Sequence, residues 1–249
     1  MRMIILLLAS TGCRVGSLPG LTLGNLSKIP DYGLYRITFY EGTNNEYYTF
    51  TTRATGIDTY LQYRQRSGEK ISFNSGKWEP GDIPLIRLQF DVNDILQVRN
   101  PKAMRLNTLR MALEKHLIRC GLRQVEHPVE INTNTNTNPN TNTNSTKRIR
   151  KTISLSTGFR KHVISTFIEA GLNHEIRELM VGHATQLDQH YFRPSEDQVL
   201  AEYLKAEPLL TIDPAARLQR ENQTLKQERS TEWLELKAEV DSLKALLKG

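Results

Sequence analysis

Four polar residues stand where a side chain can do chemistry. Arg14 follows a Thr11-Gly12 turn, and Arg160 lies in the first turn of a predicted helix after Thr157. His183 follows Gly182, and Tyr191 sits in Gln189-His190-Tyr191-Phe192-Arg193-Pro194. Their types suit phosphate chemistry. A guanidinium stays charged and grips phosphate through a planar fork, which an ammonium does not. A phenol has an ordinary pKa of about 10 and is a weak nucleophile at neutral pH until something activates it. Each residue alone has a plainer reading. An Arg in a first helical turn is usually solvated, a Gly-His at a helix end is usually a cap with a polar neighbour, and a Tyr near a Pro is usually packing. Structural context must decide.

The elements that would carry them follow from pattern. Met1 to Cys13 holds a basic residue, a short apolar run and small residues, the outline of a secretory or lipoprotein leader. Its hydrophobic region is very short, and the reading carried forward is a core helix ending at Ser10-Thr11-Gly12 and leading to Arg14. Arg36 to Thr51, rich in Tyr, Thr, Phe and Ile around Glu41-Gly42-Thr43-Asn44-Asn45, predicts a β-hairpin. Ile57 to Arg66 predicts a short helix. Asn107 to Cys120, with Leu109, Leu113 and Leu117 in register and Met111 and Ile118 nearby, predicts another, ended by Gly121. Ser156 or Thr157 can cap a helix to Gly171 with the stripe Phe159, Val163, Ile164, Phe167 and Ile168. A second spans about Glu175 to Val181 and breaks at Gly182. Ser195 and Gln198 form a capping box for a third, running through Tyr203.

Two segments differ in kind. Asn132 to Thr146 is an Asn-Thr repeat broken by Pro139, within a region of about 131–146. It cannot bury apolar surface and is expected to be a disordered surface insertion. Lys147 to Lys151, a basic cluster, follows it. From residue 213 to 249, Leu218, Leu225, Trp233, Leu236, Val240, Leu243 and Leu247 recur near a 3.5-residue spacing, interrupted at Asn222 and Arg229. That predicts an amphipathic helix in a short coiled coil, with a helix folded back on the body as the alternative.

Composition sets the bounds. The chain has 249 residues, a formal charge of +6, 38% hydrophobic and 24% charged residues. That excludes a wholly disordered chain. No run approaches the roughly 18–20 apolar residues of a membrane span. Cys13 and Cys120 are too few for a disulfide framework, which favours a reducing compartment. The tail from Asp213 holds seven basic and seven acidic residues, so the whole +6 belongs to residues 1–212. A basic body favours a polyanionic partner.

Together the four sites match a pattern. Thr11-Gly12-Cys13-Arg14-Val15-Gly16-Ser17-Leu18, with Leu21 and Leu23, resembles the first box of the tyrosine recombinases, or phage integrases. Gly158-Phe159-Arg160-Lys161, then Ala170-Gly171, Leu179-Met180-Val181-Gly182-His183 and Tyr191, resembles the second. The order Arg, hairpin, Arg, Gly-His, Tyr holds along about 190 residues, and Gly-Phe-Arg-Lys with Tyr-Phe-Arg-Pro looks most like the archaeal integrases. The resemblance implies a mainly α fold with a small antiparallel β-sheet (α+β), here with a C-terminal coiled-coil helix. It implies a catalytic domain over 1–212, acting on double-stranded DNA as a homo-oligomer. It implies a DNA-associated, cytoplasmic chain from a mobile genetic element. Tyr191 would attack a phosphodiester, forming a 3′-phosphotyrosyl link and freeing a 5′-hydroxyl, without metal or nucleotide cofactor. Arg14 and Arg160 would clamp the phosphate oxygens, His183 would donate a further hydrogen bond, and Lys161 and Arg193 would contact DNA. His190 is read as incidental. Tyr203, a rival nucleophile, falls on an apolar helical face.

The chain departs from the family pattern. Thr157 stands where the family has a His three residues before the second Arg; it can hydrogen-bond but cannot shuttle a proton. Glu41 aligns with the hairpin Lys that protonates the leaving 5′-oxygen, and no Lys occurs between Lys28 and Lys70. Lys28 and Lys161 are the nearest substitutes. A missing general acid costs about 10²–10⁴ in rate. His183 to Tyr191 is one residue shorter than in the bacterial enzymes. Arg14 also stands very early for a family whose members carry an N-terminal helical domain that completes a clamp on DNA. The expectation is therefore a C-terminal catalytic piece, with an N-terminal integrase domain supplied in trans. Rival expectations are a DNA-binding remnant without catalysis and an interaction protein built on the coiled coil.

Overall fold

A computed structural model describes residues 1–122, 155–183 and 194–212, with scattered helical positions between Ala215 and Lys237. The chain is mixed α and β, mostly helical, with a small antiparallel sheet. Helix α1 (Arg2–Thr11) is a core element: Met3, Ile4, Leu7 and Leu8 are buried along it. Gly12 ends it in the left-handed region at φ 61°. A Cβ there would also stand 3.0 Å from the Val163 Cβ, so glycine is required both for the turn and for the approach of the next helix layer. The chain then enters a 3₁₀ stretch, Val15–Gly20, directly after Arg14.

The hairpin expected over Arg36–Thr51 is two strands of a three-stranded sheet. Strands β1 (Leu26–Ile29), β2 (Leu34–Phe39) and β3 (Tyr47–Phe50) pair antiparallel in that order, with Ile37 opposite Leu26 and Thr49. The first strand was not anticipated, because Leu26-Ser27-Lys28-Ile29 is too short to show alternation. Helix α2 (Ile57–Arg66) follows as expected, then a small hairpin, β4 (Ser72–Asn74) with β5 (Lys77–Glu79). The short α3 (Ile95–Arg99) and α4 (Leu106–Arg119) complete this half. In α4 only Leu109 and Leu113 are buried, and Met111 faces out.

The second half is helical. Helix α5 (Thr157–Glu169) has Ser156 at its N-cap position, but the serine side chain makes no capping hydrogen bond. Its buried stripe is Val163, Thr166 and Phe167, while Ile168 is exposed. Helix α6 (His174–Met180) is capped instead by Asn173, whose side chain accepts from the Glu175 and Ile176 amides. Helix α7 (Glu196–Leu210) opens on the expected Ser195/Gln198 capping box. Two apolar clusters divide the interior. One joins α1, the sheet, α2 and α4; the other joins Leu34 and Phe50 to α5, α6 and α7. Tyr203 and Phe167 are fully buried in the latter, each worth about 1.5–3 kcal/mol by area. No described helix is long and apolar enough to cross a membrane.

A buried ion triad, invisible in the sequence, ties α2 to the segment after β5. Arg64 donates to Glu69 through two nitrogens and to the Pro84 and Leu85 carbonyls at 2.9 Å, and Arg87 donates to Glu69 and, at 2.7 Å, to the Gln97 carbonyl. Such a group is tolerated inside only when the charges are paired and bonded in this way.

The Asn-Thr repeat and the basic cluster Lys147–Lys151 lie outside the described residues. In the tail, Leu218, Leu225, Trp233 and Leu236 are exposed and helical.

Candidate active site

The site is organised by the ends of two helices. An α-helix leaves its last carbonyls without intrahelical partners and carries partial negative charge there. Gly12 ends α1 and Val181 ends α6. Arg160, in the first turn of α5, donates from Nη1 to the Gly12 carbonyl at 2.9 Å and from Nη2 to the Val181 carbonyl at 2.6 Å. One guanidinium therefore joins the Thr11-Gly12-Cys13-Arg14 turn to the Val181-Gly182-His183 turn. These segments are separated by about 170 residues in sequence.

Arg14 follows the first of these turns and is exposed. Its guanidinium has no hydrogen-bond or ion-pair partner among the described residues. It lies close enough to act on Arg160: burial first, and the Arg14 charge second, holds the Arg160 guanidinium below its ordinary pKa. No carboxylate pairs with either cation among the described residues. Two such cations repel one another until an anion lies between them.

His183 follows the second turn. Its amide donates to the Glu178 carbonyl at 2.9 Å, and Nδ1 lies 2.6 Å from Glu178 Oε2. The Glu178 carboxylate can only accept, so Nδ1 carries a proton in this contact. Burial works to raise the Glu178 pKa, but bonds from His183 and Arg177 outweigh it and hold the carboxyl below its usual range. The contribution of this pairing is therefore present above the ordinary carboxylate pKa and is lost as pH falls through the depressed one. Glu178→Gln should keep the helix and loosen the His183 imidazole. Proton NMR of the His183 ring in the two proteins would check this, with averaged ring resonances expected in the variant only.

Gly182 is the close point of the site. It sits at φ +66°, and a Cβ on it would fall 2.5 Å from Cε1 of Tyr47. Tyr47, the first residue of β3, thus packs its ring directly on the Gly-His turn, stacked on the other side against Phe39 at 5.1 Å between centroids. Cys13 lies between Gly12 and Arg14, and burial pushes its thiol up to about 11. It should stay protonated and unreactive at neutral pH, while Cys120 is exposed. A disulfide reagent should therefore consume one thiol quickly in native protein and the second only on unfolding.

The remaining expected residues are placed less centrally. Thr157 is exposed as the first residue of α5, and Lys161 is exposed one residue beyond Arg160. Glu41, in the position expected for a Lys, accepts at 2.6 Å from Asn25 Nδ2 just after Tyr40, which has φ 54°. The Lys28 ammonium pairs with Asp58 at 2.8 Å. Tyr203 is buried, donates to the Ser10 carbonyl at 3.1 Å, and has its pKa raised by burial, as suits a core residue. Tyr191, Arg193 and His190 lie outside the described residues. The structure thus brings together the neighbourhoods of Arg14, Arg160 and His183, and adds Glu178 and Tyr47. Glu178 had a legible signal, an acid on the short helix α6 five residues before His183. Tyr47 had none among the tyrosines of the hairpin.

No family model, no curated protein and no solved structure matches this chain.

Proposed function

We propose that residues 1–212 form the catalytic domain of a tyrosine site-specific recombinase acting on double-stranded DNA. One observation supports the reading above the others. Arg160 bridges the two motif turns, beside Arg14, and neither guanidinium has a carboxylate among the described residues. A phosphodiester between them would satisfy both. In this reading the Tyr191 oxygen attacks the scissile phosphorus and the P–O5′ bond breaks, leaving a 3′-phosphotyrosyl link and a 5′-hydroxyl. Attack by a partner strand's 5′-hydroxyl reverses the step. Arg14 and Arg160 stabilise charge growing on the non-bridging oxygens, each worth about 2.7–4 kcal/mol by analogy with an oxyanion-hole donor. His183, held by Glu178, adds a third hydrogen bond. Lys161 and Arg193 contact DNA, adding affinity through phosphate contacts, and a homo-oligomer pairs two sites.

A second reading is a DNA-binding remnant of the same enzyme class. Glu41 favours it: it stands where the resemblance implies a Lys, and it accepts a hydrogen bond from Asn25. Incubation with a pool of nicked duplexes of random sequence separates the two. The enzyme yields adduct that survives detergent and disappears in Tyr191→Phe; the remnant binds DNA and yields none.

A further inference from the structure

Tyr47 is the unexplained polar group of the site. It is 8% exposed, and its hydroxyl is buried with no acceptor for its proton among the described residues, the nearby Arg160 guanidinium being able only to donate to it. A buried hydroxyl left in that state costs about 1–3 kcal/mol. Its surroundings explain what is missing. Arg160 and Arg14 both act on it electrostatically, and both are donors. The Gly12 and Val181 carbonyls already accept from Arg160. Cys13 is a protonated thiol, and Tyr40, whose ring lies 6.3 Å away, makes no hydrogen bond to the Tyr47 hydroxyl. Burial raises the phenol well above its ordinary pKa, so it keeps its proton. The group lacks an acceptor, and an anion held by the two guanidiniums is one.

We propose that the Tyr47 hydroxyl donates a hydrogen bond to a non-bridging oxygen of the scissile phosphate, as a further donor beside Arg14, Arg160 and His183. The assignment rests on the recombinase reading for the identity of the anion. It places on the hairpin a donor that partly offsets the missing Lys. Tyr47 does so by stabilising charge on the phosphate and not by protonating the leaving group. The ring sets its position: Gly182 and Phe39 hold it from two sides.

The test uses the full chain and Tyr47→Phe, which keeps the ring and removes only the hydroxyl. The substrates are a nicked duplex that wild type captures, and the same duplex with a methylphosphonate at the scissile position. On the ordinary duplex, the single-turnover rate of adduct formation should fall about 10²-fold in Tyr47→Phe. DNA affinity should hold, and the melting temperature should stay equal or rise, since an unsatisfied group has been removed. On the methylphosphonate isomer that lacks the contacted oxygen, wild type and variant should react at similar rates. An equal deficit on both substrates and both isomers, an unchanged rate, or a lowered melting temperature would each overturn the assignment while leaving the recombinase reading intact. Absence of any adduct with wild type would remove the recombinase reading and the assignment with it.

Discussion

Arg160→Lys is expected to lower covalent adduct formation by at least about 10²-fold, the loss typical of one transition-state donor, with a larger total effect because two structural bonds go as well. The wild-type side chain uses Nη1 on Gly12 and Nη2 on Val181, carbonyls that end two different helices. A planar fork spans them and still presents N–H groups to a ligand. A lysine ammonium is a single point and can serve one carbonyl at a time. The Arg14 turn and the Gly182-His183 turn would then lose their common tie, so the phosphate site would loosen as a whole. Stability should fall less than activity, because both carbonyls lie at helix ends where water can replace the guanidinium. Thermal unfolding measured beside single-turnover cleavage would separate the two effects. A variant cleaving at the wild-type rate would show that Arg160 is only a structural brace.

Gly182→Ala should be strongly destabilising. The residue has φ +66°, which costs an alanine roughly 1–2 kcal/mol. The new Cβ would also meet the Tyr47 ring at 2.5 Å, and overpacking of that kind costs about 1–3 kcal/mol. The sum, about 2–5 kcal/mol, corresponds to a melting temperature lower by roughly 5–15 °C for a chain of this size. Relief requires Tyr47 to move away from Arg160 or His183 to move outward, and either displaces a group of the proposed site. Gly158→Ala is the matched control. It lies in α5 with open space around it, so alanine should be neutral or stabilising by about 0.5–1 kcal/mol. Equal melting temperatures for the two variants would contradict the packing described for Gly182.

Much of the scaffold was legible because its signals were local. Gly12, Gly121, Gly171 and Gly182 all adopt positive φ where the pattern placed helix ends. The Ser195/Gln198 box opens α7, and α2 has the bounds expected of it. What escaped was non-local. Strand β1 is defined by pairing with β2, not by its own four residues. The Arg64–Glu69–Arg87 triad depends on bringing α2 beside residues 84–87, which no periodicity announces. Thr157 was a candidate cap on residue type alone, yet it is the first helical residue. Within the site, the order of motif residues showed which turns mattered. It did not show that helix-end carbonyls, and not acids, would receive Arg160, nor that Tyr47 would fill the space above Gly182. The contact of Glu178 with His183 spans five residues and is local in sequence.

The central claim is that Tyr191 forms a covalent bond to DNA through the phosphate held by Arg14 and Arg160. Peptide mass spectrometry of the trapped adduct from a nicked duplex tests it most directly. The account predicts a nucleotide attached through its 3′-phosphate to the peptide containing Tyr191, a free 5′-hydroxyl on the released strand, and no adduct from Arg14→Ala or Arg160→Ala. Attachment at another residue, a 5′-phosphate linkage, or DNA binding without any adduct would contradict it.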